Sequence, residues 1–210
     1  MRIIEAQNVD LIEPFPISEI QRFLGWLHCY KTCMEVDGDP QTPEDKELYY
    51  RQLFPQTLSW GVIDKNNQLN YKHEAPLVGI VFLQGGASPA NCYVHLASTR
   101  RAWGSGLMDE AAQVLIKHVF EAYPSLQRIS GAILNNNKPA KAFAKRQGFK
   151  QDGLLKDFVT QQGQPRSVAH FGILRREAWL AVAPQLNPIN SINPPIPAQE
   201  QTLEASQTKG

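Results

Sequence analysis

The stretch from Asn91 to Val119 constrains this chain more than any other. Strand character from Asn91 to Ala97 gives way to Gly104, Ser105 and Gly106, and then to Leu107, Ala111, Leu115 and Val119 at four-residue intervals. That pattern predicts a strand, a glycine turn and a long helix with one apolar stripe. The first amides of such a helix have no partner within it, and the aligned peptide dipoles favour an anion at that end. Two glycines let the backbone approach a phosphate closely. A P-loop would need Gly-Lys-Ser or Gly-Lys-Thr at the end of the turn, and a dinucleotide fingerprint would need a third glycine where Asp109 stands. Taken alone, the glycine pair is equally well read as a plain tight turn.

The flanking sequence reads as mixed α/β. Ile17 to Met34 carries a helical stripe at Ile20, Phe23, Leu24, Leu27, Tyr30 and Met34, with Ser18 and Gln21 resembling a capping box. Gly38, Asp39, Pro40 and Pro43 break it, and Glu44 to Phe54 predicts a second helix stopped by Pro55. These two helices are expected to precede the strands. Leu58, Trp60 and Val62 alternate with other residues, Lys65 to Asn70 is a polar turn, and Leu77 to Leu83 is a continuous apolar run, which together predict a hairpin. Gln127 to Leu134 returns to strand character, Asn137 caps a helix with Pro139 in its first turn, and Gly148 ends that helix. Leu154 to Thr160 and Ser167 to Leu174 predict a last hairpin around Gln161 to Gln164, closed by a short helix near Trp179. Helices are therefore available for both faces of a sheet.

The expected domain spans residues 1–182. Residues 183–210 are rich in Pro, Asn and Gln, with five prolines between Pro184 and Pro197. Too little apolar surface is available there to offset ordering entropy, so this is read as a disordered tail, with a polyproline II ligand as the other reading. A formal net charge of +1 gives no general reason to expect nucleic acid or membrane as partner. No stretch reaches the roughly 18 apolar residues of a membrane span, and Met1 to Asp10 lacks the pattern of a secretory leader, so the cytoplasm is expected. Cys29, Cys33 and Cys92 are odd in number and form no Cys-x-x-Cys pair, which suits reduced thiols. His28 beside Cys29 and Cys33 falls short of a tetrahedral set, so no metal is expected.

Arg101-x-x-Gly104-x-Gly106, followed at the right distance by Asn137-x-x-Ala140-x-x-Phe143 and Gly148-Phe149, resembles the two motifs of the GNAT superfamily of N-acetyltransferases. Trp103-Gly104-Ser105-Gly106 with Glu110-Ala111 is most similar to the Rim-type branch, which includes ribosomal-protein alanine N-acetyltransferases. The resemblance covers residues 1 to about 180. It implies a GNAT fold: a mixed, mostly antiparallel sheet with helices on both faces and a splayed strand pair that receives CoA. It also implies acetyl-CoA as cofactor and a primary amine of a protein, peptide or small molecule as acceptor, with identity and oligomeric state left open.

The resemblance assigns roles by position. Ala102 and the backbone amides of Trp103, Gly104, Ser105, Gly106 and Leu107 would hold the pyrophosphate, with Arg101 reinforcing the charge. Leu96 and Ala97 would leave backbone groups free for the pantetheine arm, joined by Asn137, Ala140 and Phe143. Asn137 is equally read as a helix cap and Phe143 as core. Lys138, Lys141, Lys145 and Arg146 share one helical side, read as a solvated face or as contacts for the adenosine phosphate.

Many superfamily members place a glutamate on the strand before the turn and a tyrosine after the Phe143 position. Ala90, Asn91 and Cys92 occupy the first region and Ala144 the second. His95 is then the neutral-pH base on the cofactor strand, with Tyr93 on the same side as the next candidate; a satisfied core histidine is the competing reading of His95. His28, His73, His118 and His170 lack motif context. Trp26, Tyr30, Tyr49, Tyr50 and Phe158 are candidates for the acceptor pocket. A non-catalytic acyl-CoA-binding or interaction module remains the alternative function.

Overall fold

Val9 and Leu11 alternate with Asp10 and Ile12, and both apolar side chains are fully buried. They belong to a strand, β2 (Val9–Glu13), that pairs antiparallel with β1 (Arg2–Glu5). The expectation that two helices precede all strands is therefore corrected. The signal was the period of two, masked by the shortness of both strands and by the charges within them. The protein is described here by a computed structural model covering residues 1–29, 35–67, 77–86 and 88–182.

The order continues with α1 (Ile20–Cys29), α2 (Pro43–Leu53), β3 (Leu58–Asp64), β4 (Leu77–Gly85), β5 (Asn91–Ser98), α3 (Leu107–Ala122), β6 (Arg128–Leu134), α4 (Lys138–Arg146), β7 (Lys150–Gln161), β8 (Gln164–Leu174) and α5 (Arg175–Val182). Ser18 does not cap α1: a 3-10 turn over Ile17–Glu19 starts at Pro16 without a side-chain cap, and Gln21 instead donates to Glu47. Pro43 begins α2 rather than breaking a helix, because Thr42 caps it by accepting from the Asp45 amide. The closing hairpin is longer than expected. Its two-residue turn is Gln162-Gly163, both at positive φ, the geometry that matches strand twist. Tyr30, Cys33 and the tail from residue 183 onward lie outside the described residues.

The eight strands form one sheet in the order β1-β2-β3-β4-β5-β6-β8-β7, in which only β5 and β6 run parallel. One face is covered by α3, whose Leu107, Ala111, Leu115 and Val119 pack with Val9, Leu11, Trp60 and Val62. The other carries α1 and α2 through an aromatic cluster centred on Phe54, whose ring lies 5.3 Å from Phe15, 5.5 Å from Phe23 and 5.5 Å from Phe82. No residue of β6, β7 or β8 belongs to that second core. Burying each such side chain is worth about 1.5–3 kcal/mol, so the sheet is stabilised from both sides.

Three polar ties hold the edges to this frame. The backbone and side-chain amides of Asn8 donate to the Glu110 carboxylate at 2.8 and 2.9 Å, fastening the β1–β2 turn to the first turn of α3. Asp37 accepts from the amides of Gln162 and Gly163, both at 2.8 Å, so the segment after α1 clasps the tip of the β7–β8 hairpin. Those two amides hold the Asp37 carboxyl below its usual range. On β6 the Arg128 guanidinium bonds Ser130 Oγ at 2.8 Å, pairs with Asp152 and lies over Gly172, where a Cβ would collide with Nη2.

Candidate functional site

Gly104 and Gly106 adopt φ of +74° and +87°, and a Cβ at either would meet nothing within 4 Å. Glycine is demanded here by backbone conformation, not by crowding. The turn they form satisfies part of its own backbone. Trp103 N donates to Arg100 O at 3.1 Å, Ser105 N to Ala102 O at 3.3 Å, and Leu107 N to Ser105 Oγ at 3.3 Å. Of the five amides expected from sequence to face an anion, these three are already engaged. Those left are Gly104 and Gly106, joined by Met108 and Asp109, whose amides stand in the first helical turn and have no intrahelical acceptor. Sequence reasoning missed the last two. The spacing of helix starts was the available signal, but the cap position had to be known to within one residue.

Asp109 and Glu110 sit in that same first turn, where an anion would meet them. Both carboxylates are turned to partners: Glu110 to Asn8, and Asp109 to Arg146 Nε at 2.9 Å and Gln147 Nε2 at 2.6 Å. Arg146 thus leaves the expected basic face to neutralise α3. Lys141 is likewise engaged, donating to Asn135 Oδ1 at 2.9 Å.

The parallel ladder between β5 and β6 has three rungs, Asn91 to Arg128, Cys92 to Ile129 and Tyr93 to Ser130. Beyond Tyr93 the strands part. The edge of β5 from Val94 to Ala97 that faces β6 therefore lacks a strand partner, the splay expected from sequence, while its other edge stays paired to β4 through Gly79 and Ser98. A cleft of about 910 Å³ occupies the gap. It touches Gly104 and Gly106 at the turn, Val94, Leu96 and Phe143 on the α3 side, and His95 and Ala132 on the opposite side. The cleft thus passes through the sheet from one face to the other.

Most of the sequence-derived residues meet in this cleft: Leu96, Ala97, Ala102, Trp103, Gly104 and Gly106 from the first motif, with Asn137, Ala140 and Phe143 from the second. Arg101, Ser105 and Tyr93 do not line it, and the Leu107 side chain is core. Asn137 accepts from the Ala140 amide at 3.1 Å, so its capping role is realised. His95 is not a buried core histidine. Its ring stacks on Phe82 with centroids 4.6 Å apart and planes inclined by 7°, while one edge stays open to solvent. The apolar cover on its closed side pushes its pKa down. Burial pushes the neighbouring Cys92 thiol up to about 11, so that thiol is no nucleophile. Of the acceptor-pocket candidates, Trp26 and Tyr50 pack against the aromatic core, whereas Tyr49 and Phe158 are exposed. Burial, first of all, raises the Tyr50 hydroxyl pKa. Among the described residues no cluster of His, Cys, Asp and Glu could hold a metal ion, and no helix is long and apolar enough to cross a membrane.

The family model described as "Acetyltransferase (GNAT) domain" matches residues 11–150. The chain belongs to this family. A curated relative from Bacillus licheniformis, "Uncharacterized N-acetyltransferase p20", is 33% identical over 78 residues, which are 37% of this chain and 43% of that protein. The match thus spans less than half of the relative's length. Among solved structures, an acetyltransferase of the GNAT family from Bacillus anthracis superposes with a TM-score of 0.67 at 18% identity, over 84% of this chain and 100% of that one. A ribosomal-protein-S5-alanine acetyltransferase from Vibrio fischeri gives 0.64 at 18% identity, over 83% and 97%. RimL, a ribosomal L7/L12 α-N-protein acetyltransferase, gives 0.66 at 15% identity, over 82% and 94%. At such identities the likeness establishes the GNAT fold and leaves the substrate open.

Proposed function

We propose that the chain transfers an acetyl group from acetyl-CoA to a primary amine, and that the cleft through the β5–β6 gap holds the donor. The observation that carries this reading is the alignment, in one cleft, of unpaired turn amides at one end and an unpaired strand edge along its length. The amides of Gly104, Gly106, Met108 and Asp109 suit a pyrophosphate, since converging N–H groups and the helix dipole both favour negative charge. The free edge from Val94 to Ala97 suits the amide-rich pantetheine arm, which pairs with backbone as an added strand does. Acetyl-CoA supplies an acyl group already activated as a thioester. The residues around it position the arm, exclude water and, at the far mouth beside His95, receive the acceptor. His95 suits proton removal because its lowered pKa keeps the imidazole neutral at pH 7.

For the acceptor we propose the α-amine of a protein or peptide, supported by the names of the two ribosomal-protein acetyltransferases with the same fold. A cytoplasmic setting is proposed from the buried, unpaired Cys92. Titration calorimetry with acetyl-CoA, with desulfo-CoA and ATP as controls, tests the cofactor reading. Micromolar binding that weakens by roughly a hundredfold in Gly104→Glu supports it, and absence of binding to the wild type refutes it. Thiol release in the presence of amines then separates an enzyme from a module that only binds acyl-CoA.

A further inference from the structure

Val94 and Leu96 of β5, Ile129 and Ile133 of β6, and Ala169, Phe171 and Ile173 of β8 all pack into or against the core beneath α3. Alternation therefore turns His95, Ala132 and His170 to the opposite face of the sheet. Register brings them level. Tyr93 pairs with Ser130, and Ala132 pairs with His170. Two residues past the last rung of the β5–β6 ladder, the three residues stand in a row across the sheet. Ala132 is the register neighbour of His170, and the β5–β6 gap separates it from His95; at about 4.8 Å per strand the two histidine backbones are on the order of 10 Å apart, more where the strands part.

His170 is half-buried, and no hydrogen bond or ion pair engages it among the described residues. Part of its ring is open to solvent, so an incoming amine can reach it. Its register neighbours are Ala132 on β6 and Gly153 on β7, neither of them titratable. The nearby Arg128, over Gly172, is already paired with Asp152.

We propose that His170 is a second proton acceptor of the transfer reaction, removing the first proton from an amine bound between it and His95. The inference rests on the acetyl-transfer reading above. An amine reaches the site as ammonium, and only its neutral form attacks. In the complete step a C–N bond forms to the acyl carbon, the C–S bond breaks, and two protons leave the nitrogen. One ends on the departing thiolate and one in solvent. The two imidazoles divide this work by position. His170 stands outside the cleft and returns its proton to water, whereas His95 lines the cleft and passes its proton to the thiolate sulfur.

The test compares two amines with acetyl-CoA at pH 7.5: an alanyl peptide, whose α-amine titrates at about 8, and Nα-acetyl-lysinamide, at about 10.4. Thiol release gives kcat/KM for the wild type and for His170→Gln, and calorimetry gives acetyl-CoA affinity for both. Without the first base only the neutral fraction of amine reacts, so the variant is expected to lose roughly a hundredfold more on the lysine amine than on the α-amine. Its acetyl-CoA affinity is expected to stay unchanged. Equal losses on both amines would mark a structural role and overturn the proposal, as would wild-type rates in the variant or no thiol release by the wild type with either amine. If the wild type binds acetyl-CoA while the amine ratio does not move, only the role of His170 falls; if the wild type does not bind acetyl-CoA, both readings fall.

Discussion

At Gly104 one backbone angle fixes the residue type. A side chain there is strained by about 1–2 kcal/mol in the left-handed region, although it would touch nothing. Gly104→Ala is therefore expected to weaken acetyl-CoA by about tenfold, and Gly104→Glu by roughly a hundredfold once like charge is added at the turn. Calorimetry on the two variants separates strain from charge. His95 makes the complementary case. Burial holds its pKa below the ordinary histidine value, and Phe82 stacked on one ring face is part of its surroundings. An NMR titration is expected to find it there, and Phe82→Ala is expected to raise it as water reaches the ring. A lowered histidine pKa means that its share of stability is full above the ordinary histidine value and is lost as pH falls through the depressed one. At this scale the sequence was legible where a residue type is forced, as at Gly104 and Gly106. It was not legible for Asp109, Arg146 and Gln147, which find one another only when α3 and α4 are packed.

Secondary-structure elements were read correctly where their period was long and their caps unambiguous, as in α3 and α4. The β1–β2 hairpin escaped because four or five residues hold too few repeats to outweigh their charges, and its anchor, Glu110, is distant in sequence. Glu110→Ala leaves both Asn8 donors without that acceptor, and a loss of about 1–3 kcal/mol is expected in denaturant unfolding. Hydrogen exchange in β1 and β2 is expected to rise before that of the central strands. The clasp between Asp37 and the hairpin tip titrates. Because the Asp37 pKa is depressed by the Gln162 and Gly163 amides, the clasp is at full strength above the ordinary aspartate range and fails as pH drops through the depressed value. Exchange of those two amides, followed from neutral to acid pH, is expected to accelerate only below the ordinary aspartate range; acceleration above it would contradict the assignment.

In the whole molecule, one sheet separates two cores and the cleft joins their faces through the β5–β6 gap. Element order from β3 onward was legible because glycine, proline and polar turns separate runs of distinct period, whereas the path of the cleft through the sheet was not, since it depends on where a ladder stops. Phe54→Ala removes the centre of the aromatic core and is expected to cost about 3–5 kcal/mol, read as a shift in unfolding midpoint at unchanged slope. Acetyl-CoA at a hundred times its Kd is expected to stabilise the protein by about 2.7 kcal/mol. A thermal scan without that response would show that acetyl-CoA does not bind the folded protein. The arginine resting over Gly172 makes that glycine a switch on local charge. A Cβ at 172 would meet the guanidinium of Arg128, the far end of a flexible side chain, so a larger residue there is accommodated by Arg128 swinging away from Asp152. Growth at one small residue would thus set loose a cation on β6 without any change of sequence at residue 128.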